Sequence, residues 1–109
     1  RGIGTPLNED MVRLVNGVTG WSLSLQELEK IGERIYNLER LINVRRGISR
    51  KDDILPHRVM SEPIPDGPVN GRFCLQKDLD AMLDVYYELR RWNQEGIPTD
   101  EKLADLGLL

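Results

Sequence analysis

The chain has 109 residues, of which 39% are hydrophobic and 30% charged, with a formal net charge of −3, one His and one Cys. That is the composition of one small globular domain with a modest core, and it excludes a disulfide scaffold, a closed zinc site and an iron–sulfur cluster built from this chain's own residues. Acidic residues outnumber basic ones from Gln76 onward and no face interleaves basic with aromatic residues, which disfavours nucleic-acid binding; no apolar stretch approaches the length of a membrane span, and no leader pattern follows Arg1, so a cytoplasmic setting away from membranes is expected.

The first helix is expected to open with Thr5 as N-cap and Pro6 at the first helical position, where its missing N–H costs nothing, and to end at Gly20. Its apolar face reads Met11, Leu14, Val15 and Val18. The second helix has the strongest local signal in the chain. Ser24 and Glu27 form an S-x-x-E capping box, and Leu23 is placed to staple onto Leu28. Leu28, Ile31, Ile35, Leu38 and Ile42 then recur at steps of 3, 4, 3 and 4, with Leu25 and Leu41 widening the stripe, while Glu33, Arg34, Asn37 and Arg40 point elsewhere. Arg45 and Arg46 suit the negative end of the helix dipole, and Gly47 suits a left-handed C-cap.

Residues 48–75 form a long arm rich in Pro and Gly that, apart from a helical turn near residues 55–61, is expected to be irregular. The third long helix spans about 76–92, with Asp78 and Asp80 in its first turn, Arg90 and Arg91 in its last, and a core stripe of Leu79, Met82, Leu83, Tyr86 and Leu89. Thr99 caps a short final helix that holds Leu103 and Leu106 and closes at Gly107. No segment has strand periodicity. The fold class is therefore all-α: a bundle of three main helices plus a short C-terminal one, forming one domain over 1–109 with the arm inside it.

Six segments carry a resemblance. TGW at 19–21, IGERIYNLERLINVRRG at 31–47, RKDDILP at 50–56, DGPVNGR at 66–72, DVYYELRRW at 84–92 and GIPTDEKLADLGL at 96–108 follow in an order that resembles the C-terminal end of the aldehyde ferredoxin oxidoreductase family. Arg91 departs from the pattern, since that family usually has Gly before the Trp. The resemblance implies a parent enzyme with a tungsten or molybdenum bis-pterin cofactor and one [4Fe-4S] cluster, oxidising aldehydes to acids and passing electrons to ferredoxin. It places the cluster cysteines and pterin motif upstream of the matched region. No catalytic, cofactor-binding or metal-binding residue is carried over to this chain.

The conspicuous polar residues have structural readings. Arg45, Arg46, Arg50 and Lys51 beside Asp52 and Asp53 read as helix capping and local ion pairing more readily than as an anion pocket, and adjacent Asp52 and Asp53 lack a third ligand at a recognisable spacing. His57 has no nucleophile motif with it and reads as a surface side chain; Cys74 reads as a small buried hydrophobe. Trp21, Tyr36, Tyr86, Tyr87 and Trp92 read as core or interface anchors.

Two functions from different classes fit. The chain is either the last helical domain of a pterin-dependent aldehyde oxidoreductase, supporting the cofactor domain and walling the substrate channel, or a free-standing helical interaction module derived from such an enzyme. Under the first reading, Leu25, Leu41 and Tyr87 are expected to contact the cofactor-bearing domains, and the isolated chain is expected to self-associate through that apolar surface.

Overall fold

Five α-helices and one 3₁₀ turn make up the computed structural model, which describes residues 6–109. They are α1 (Glu9–Thr19), α2 (Leu25–Arg45), the 3₁₀ turn (Arg50–Asp52), α3 (His57–Ser61), α4 (Gln76–Arg90) and α5 (Asp100–Asp105). Among the described residues there is no strand, only an isolated antiparallel bridge between Trp92 and Pro98. None of these helices is long and apolar enough to cross a membrane.

The start of α1 differs from the expected one. Thr5 lies outside the described residues, and Pro6 precedes the helix instead of opening it. Asn8 is the cap: its Oδ1 accepts the Met11 N–H at 3.0 Å, with Glu9 and Asp10 then complementing the dipole. Gly20 ends the helix in the left-handed region as expected. The inward side of α1 is Val12, Val15 and Asn16, whereas Leu14 and Val18 are exposed, so the expected apolar face was rotated. The Asn16 amide fixes the turn into α2, donating to the Leu23 carbonyl at 2.9 Å and accepting the Leu23 N–H at 3.0 Å.

Ser24 and Glu27 close the capping box that starts α2. The Ser24 Oγ accepts the Glu27 N–H at 3.1 Å, and a Glu27 carboxylate oxygen accepts the Ser24 N–H at 2.7 Å. Hydrogen bonds to the Glu27 carboxyl from the Ser24 backbone N–H, and to a lesser degree from the Ser24 side chain, hold it below its ordinary pKa. At the far end, Gly47 takes φ +91°, its N–H reaches the Val44 carbonyl and the Ile48 N–H reaches that of Asn43, a Schellman motif that satisfies carbonyls the helix leaves open.

The arm is more ordered than its composition suggests. Asp52 caps the 3₁₀ turn by accepting the Ser49 N–H at 2.9 Å. After α3, residues 64–72 fold back on themselves, with Ile64 N–H to Arg72 O at 3.0 Å and Gly71 N–H to Ile64 O at 2.8 Å, and Cys74 N–H returns to Val59 O at 2.9 Å.

The packing of α2 on α4 bears out part of the expected α4 stripe, since Leu79 is buried and Leu83 and Tyr86 half-buried, but leaves the rest of both stripes open. Ile35, Leu38, Ile42, Met82 and Leu89 are all exposed, while Leu79 and Tyr87 are buried. The two helices meet instead through long polar and aromatic side chains. Tyr36 and Tyr86 share a hydroxyl–hydroxyl hydrogen bond of 2.7 Å, and Arg90 pairs with Glu33 and lies 4.5 Å from the Tyr36 ring centroid. Tyr87, expected at an interface with other domains, is instead buried against Asp53, Arg50 and Trp92, and Leu25 and Leu41 are half-buried. The radius of gyration is 18.0 Å, against roughly 13 Å for a compact 100-residue domain.

α4 stops at Arg90 because Arg91 adopts φ 57° and ψ 42°, the only non-glycine residue with positive φ among those described. Arg91 thus takes the conformation that Gly would take more easily, and the turn is kept. Its guanidinium compensates by reaching α5, at 2.5 Å from Asp105 and 2.8 Å from Glu101. These exposed pairs weaken in salt, whereas backbone strain does not. Arg91→Gly is therefore expected to leave the melting temperature nearly unchanged at low ionic strength and to raise it by a few degrees in about 1 M salt, measured by thermal unfolding at both.

Candidate functional site

The densest constellation of polar side chains lies where α2, α4, the 3₁₀ turn and the loop at 93–97 converge. Arg40, projecting from α2, holds Asp53 in a two-pronged ion pair, with Nη1 to Oδ1 at 2.8 Å and Nη2 to Oδ2 at 2.5 Å. Its Nε donates to the Gly96 carbonyl at 2.8 Å, and the guanidinium lies 5.0 Å from the Trp92 ring centroid. The Tyr87 hydroxyl donates to the same Asp53 carboxylate. Burial of Asp53 opposes its ionisation, but the hydrogen bonds from Arg40 and Tyr87 prevail and hold its pKa below the ordinary carboxylate value. Burial, together with the Asp53 hydrogen bond, pushes Tyr87 up to about 12.

Trp92 completes the cluster. Its indole N–H donates to Asn37 Oδ1 at 2.7 Å, Asn37 in turn donates to the Glu33 carbonyl at 2.8 Å, and Asn37 is fully buried. The Trp92 ring is stacked near parallel to Tyr36 at 6.0 Å and meets Tyr86 edge-on at 5.7 Å. Arg50 ties the arm to α4, donating to Asp84 at 2.6 Å and to the Asp80 carbonyl at 3.1 Å. Beside this network a cavity of about 330 Å³ is lined by Tyr36, Arg40, Asn43, Asp53, Leu79 and Tyr86 among others.

Such a network anchors the arm; it does not offer a reactive group. Both oxygens of Asp53 are engaged by Arg40, one of them also by Tyr87, and Arg40 is neutralised. Asp52 and Asp53 serve different partners, Ser49 and Arg40, so they form no carboxylate pair. Arg45, Arg46 and Lys51 are exposed, and Arg50 is engaged by Asp84 and the Asp80 carbonyl. His57 is exposed, and its Nδ1 lies 3.1 Å from the Ser61 hydroxyl one helical turn on. Cys74 is only half-buried, in an apolar groove of about 540 Å³ on the arm with Val59, Ile64, Val69 and Phe73, and so is not the enclosed hydrophobe expected. Trp21, read as a core or interface anchor, is exposed and so lies outside the core.

Glu33, Asn37, Arg40 and Gly96 do not stand out in the sequence as parts of a site. The signal that could have found them is their spacing: Glu33, Tyr36, Asn37 and Arg40 recur on one face of α2, opposite the apolar stripe.

The geometry defines a helical domain whose polar network is satisfied within the chain and whose α2 and α4 carry exposed apolar residues. The chain belongs to the aldehyde ferredoxin oxidoreductase family: residues 4–108 match the profile of aldehyde ferredoxin oxidoreductase, domains 2 and 3. It is 43% identical over 101 residues to the tungsten-containing aldehyde ferredoxin oxidoreductase of Pyrococcus abyssi, covering 92% of this chain and 16% of that protein. It is 34% identical over 106 residues to the aliphatic sulfonate oxidoreductase, WOR-like subunit, of Pyrococcus furiosus, covering 92% and 17%. Among solved structures, the active site complex BamBC of benzoyl coenzyme A reductase with 1,5-dienoyl-CoA matches with a TM-score of 0.72 and 30% identity over 91% of this chain and 14% of that one. The chain thus spans about a sixth of the length of the curated relatives it matches.

The [4Fe-4S] cluster that the resemblance implies does not fit this chain's own side chains. A [4Fe-4S] cluster takes four thiolates and the sequence has one Cys, and no three His, Cys, Asp or Glu side chains converge as a metal site among the described residues.

Proposed function

We propose that this chain is the C-terminal helical domain of a larger cytoplasmic enzyme that oxidises aldehydes to carboxylic acids at a tungsten or molybdenum bis-pterin centre and passes electrons through a [4Fe-4S] cluster to ferredoxin. In this reading it supports the cofactor-bearing domains and helps wall the substrate channel, and it supplies no catalytic group. The observation that carries the reading is the combination of internally satisfied polar residues with an apolar surface left open. Asn37, Arg40 and Asp53 are paired within the chain, yet Ile35, Leu38, Ile42, Met82 and Leu89 face outward on a molecule well above compact dimensions. A domain built to stand alone would bury that apolar stripe and expose the polar face. Self-association of the isolated chain, expected with weak dependence on salt, would then use the wider outward apolar surface, Met82 and Leu89 included, and not Leu25, Leu41 or Tyr87.

The test compares the whole polypeptide with the isolated 109-residue chain. The whole polypeptide is expected to contain tungsten or molybdenum and about four irons, and to reduce a viologen dye when given an aldehyde. The isolated chain is expected to contain none of these metals in stoichiometric amount and to reduce no dye. A metal-free, inactive whole polypeptide would favour the free-standing interaction module, and an iron-loaded or active isolated chain would refute the non-catalytic role.

A further inference from the structure

Leu28, Ile31, Ile35, Leu38 and Ile42 alternate steps of three and four along α2, the spacing of a coiled-coil seam, with Leu25 and Leu41 at its flanks. The seam is covered at one end only. Leu28 and Ile31 are half-buried near α1, where Leu7 shares a cleft with Leu28 and Gly32, but beyond them Ile35, Leu38 and Ile42 are 54%, 46% and 45% exposed. α4 cannot cover them. Its Tyr86 and Arg90 meet Tyr36 and Glu33, and Trp92 just beyond it meets Asn37 and Arg40; at 100° per residue those four side chains leave α2 on the side opposite the seam.

We propose that an amphipathic helix from the part of the polypeptide outside these 109 residues lies along Ile35, Leu38 and Ile42 in knobs-into-holes register, continuing the cover that α1 begins. The inference rests on the reading that the chain is one domain of a longer protein. Three observations select this occupant. The alternating spacing is complementary to another helix with apolar residues at the same steps, whereas a strand or an extended loop has no matching period. The open part of the seam is three half-exposed side chains, far short of the roughly 800 Å² per partner that a stable association between separate molecules buries; a segment of the same chain docks at high effective concentration and needs less. The curated relatives supply the length, since the matched region is only 16% of theirs. The next seam position is Arg45, so the visiting helix should carry an acidic residue where its apolar run stops.

Two measurements on the whole polypeptide test this. Hydroxyl-radical footprinting of the native protein is expected to show Ile35, Leu38 and Ile42 protected by about tenfold relative to the denatured protein, with exposed α2 residues on the flanks such as Glu39 reacting freely. Photo-leucine incorporated in place of leucine should cross-link Leu38 to a segment outside residues 1–109 at positions three or four apart. Little or no protection would overturn the proposal. So would cross-links between isotopically distinct copies, which assign the seam to a dimer, or cross-links to a non-helical segment. Aldehyde oxidation is scored separately on the same preparation: an active enzyme with an open seam sinks only this inference, and a protected seam in an inactive protein sinks only the proposed function.

Discussion

Gly96→Ala should destabilise the protein by about 4 kcal/mol, read as a fall in the urea midpoint. Gly96 has φ +73°, where an L-residue costs roughly 1–2 kcal/mol, and it is buried in the Arg40 network. A Cβ there would sit 2.4 Å from Arg40 Nη2 and 2.9 Å from the Tyr87 ring carbon and hydroxyl. Neither neighbour can give way cheaply, because Arg40 is fixed by Asp53 and the Gly96 carbonyl, and Tyr87 by Asp53. Overpacking adds about 1–3 kcal/mol, and part of the ion pair is lost if Arg40 moves. Gly67→Ala provides the control. Gly67 has φ +84° but nothing within 4 Å of the added carbon, so it should show the backbone cost alone. Equal losses for the two substitutions would mean that the close approach at Gly96 has no energetic weight.

The contrast between what α2 declares and what it does explains which parts of this fold were legible in the sequence. Caps are local: Ser24 with Glu27, Gly47, Thr99 and Gly107 are recognised within a few residues of the groups they satisfy, and each sits where its spacing placed it. The start of α1 was the exception, because Asn8 competed with Thr5 for the same task. Burial is not local. An apolar stripe shows which face of a helix will be covered, but not whether the cover comes from the same 109 residues. On α2 the described residues leave Ile35 and Leu38 open, and the polar face carries the tertiary contacts. The network around Asp53 was illegible for a related reason. Its members are separated by as many as 56 residues, and Gly96 enters through a carbonyl that any residue type would provide. The reading of Asp53 as an ion-pairing residue is correct in kind, while its partner, Arg40, is marked in the sequence only as lying off the apolar stripe.

Asp53→Asn should cost about 3 kcal/mol, because it leaves the Arg40 guanidinium, with its side chain only 10% exposed, without a counter-charge. The pH dependence of stability should then separate the two groups that share this carboxylate. Asp53 has a folded-state pKa below its unfolded value of 3.8, so its contribution is present above that value and is lost as the pH falls through the folded pKa. Tyr87 has a folded-state pKa raised from 10.0 to about 12, so its contribution is complete below pH 10 and is lost as the pH rises toward 12. Tyrosinate absorbance in the native protein should therefore show one tyrosine ionising near the top of that window, and Tyr87→Phe should remove that step together with the part of the alkaline stability loss that it causes. Asp53→Asn should lower the late step without abolishing it, since burial, the larger cause of the shift, remains. The acid limb should respond in the opposite sense: Tyr87→Phe deletes a donor to the Asp53 carboxylate and should move the acid loss of stability to higher pH, while Asp53→Asn should remove that part of the limb. If all three tyrosines of the native protein titrated together near pH 10, the Tyr87–Asp53 hydrogen bond would not exist in solution, and the arm would have to be held against α4 by Arg50 alone.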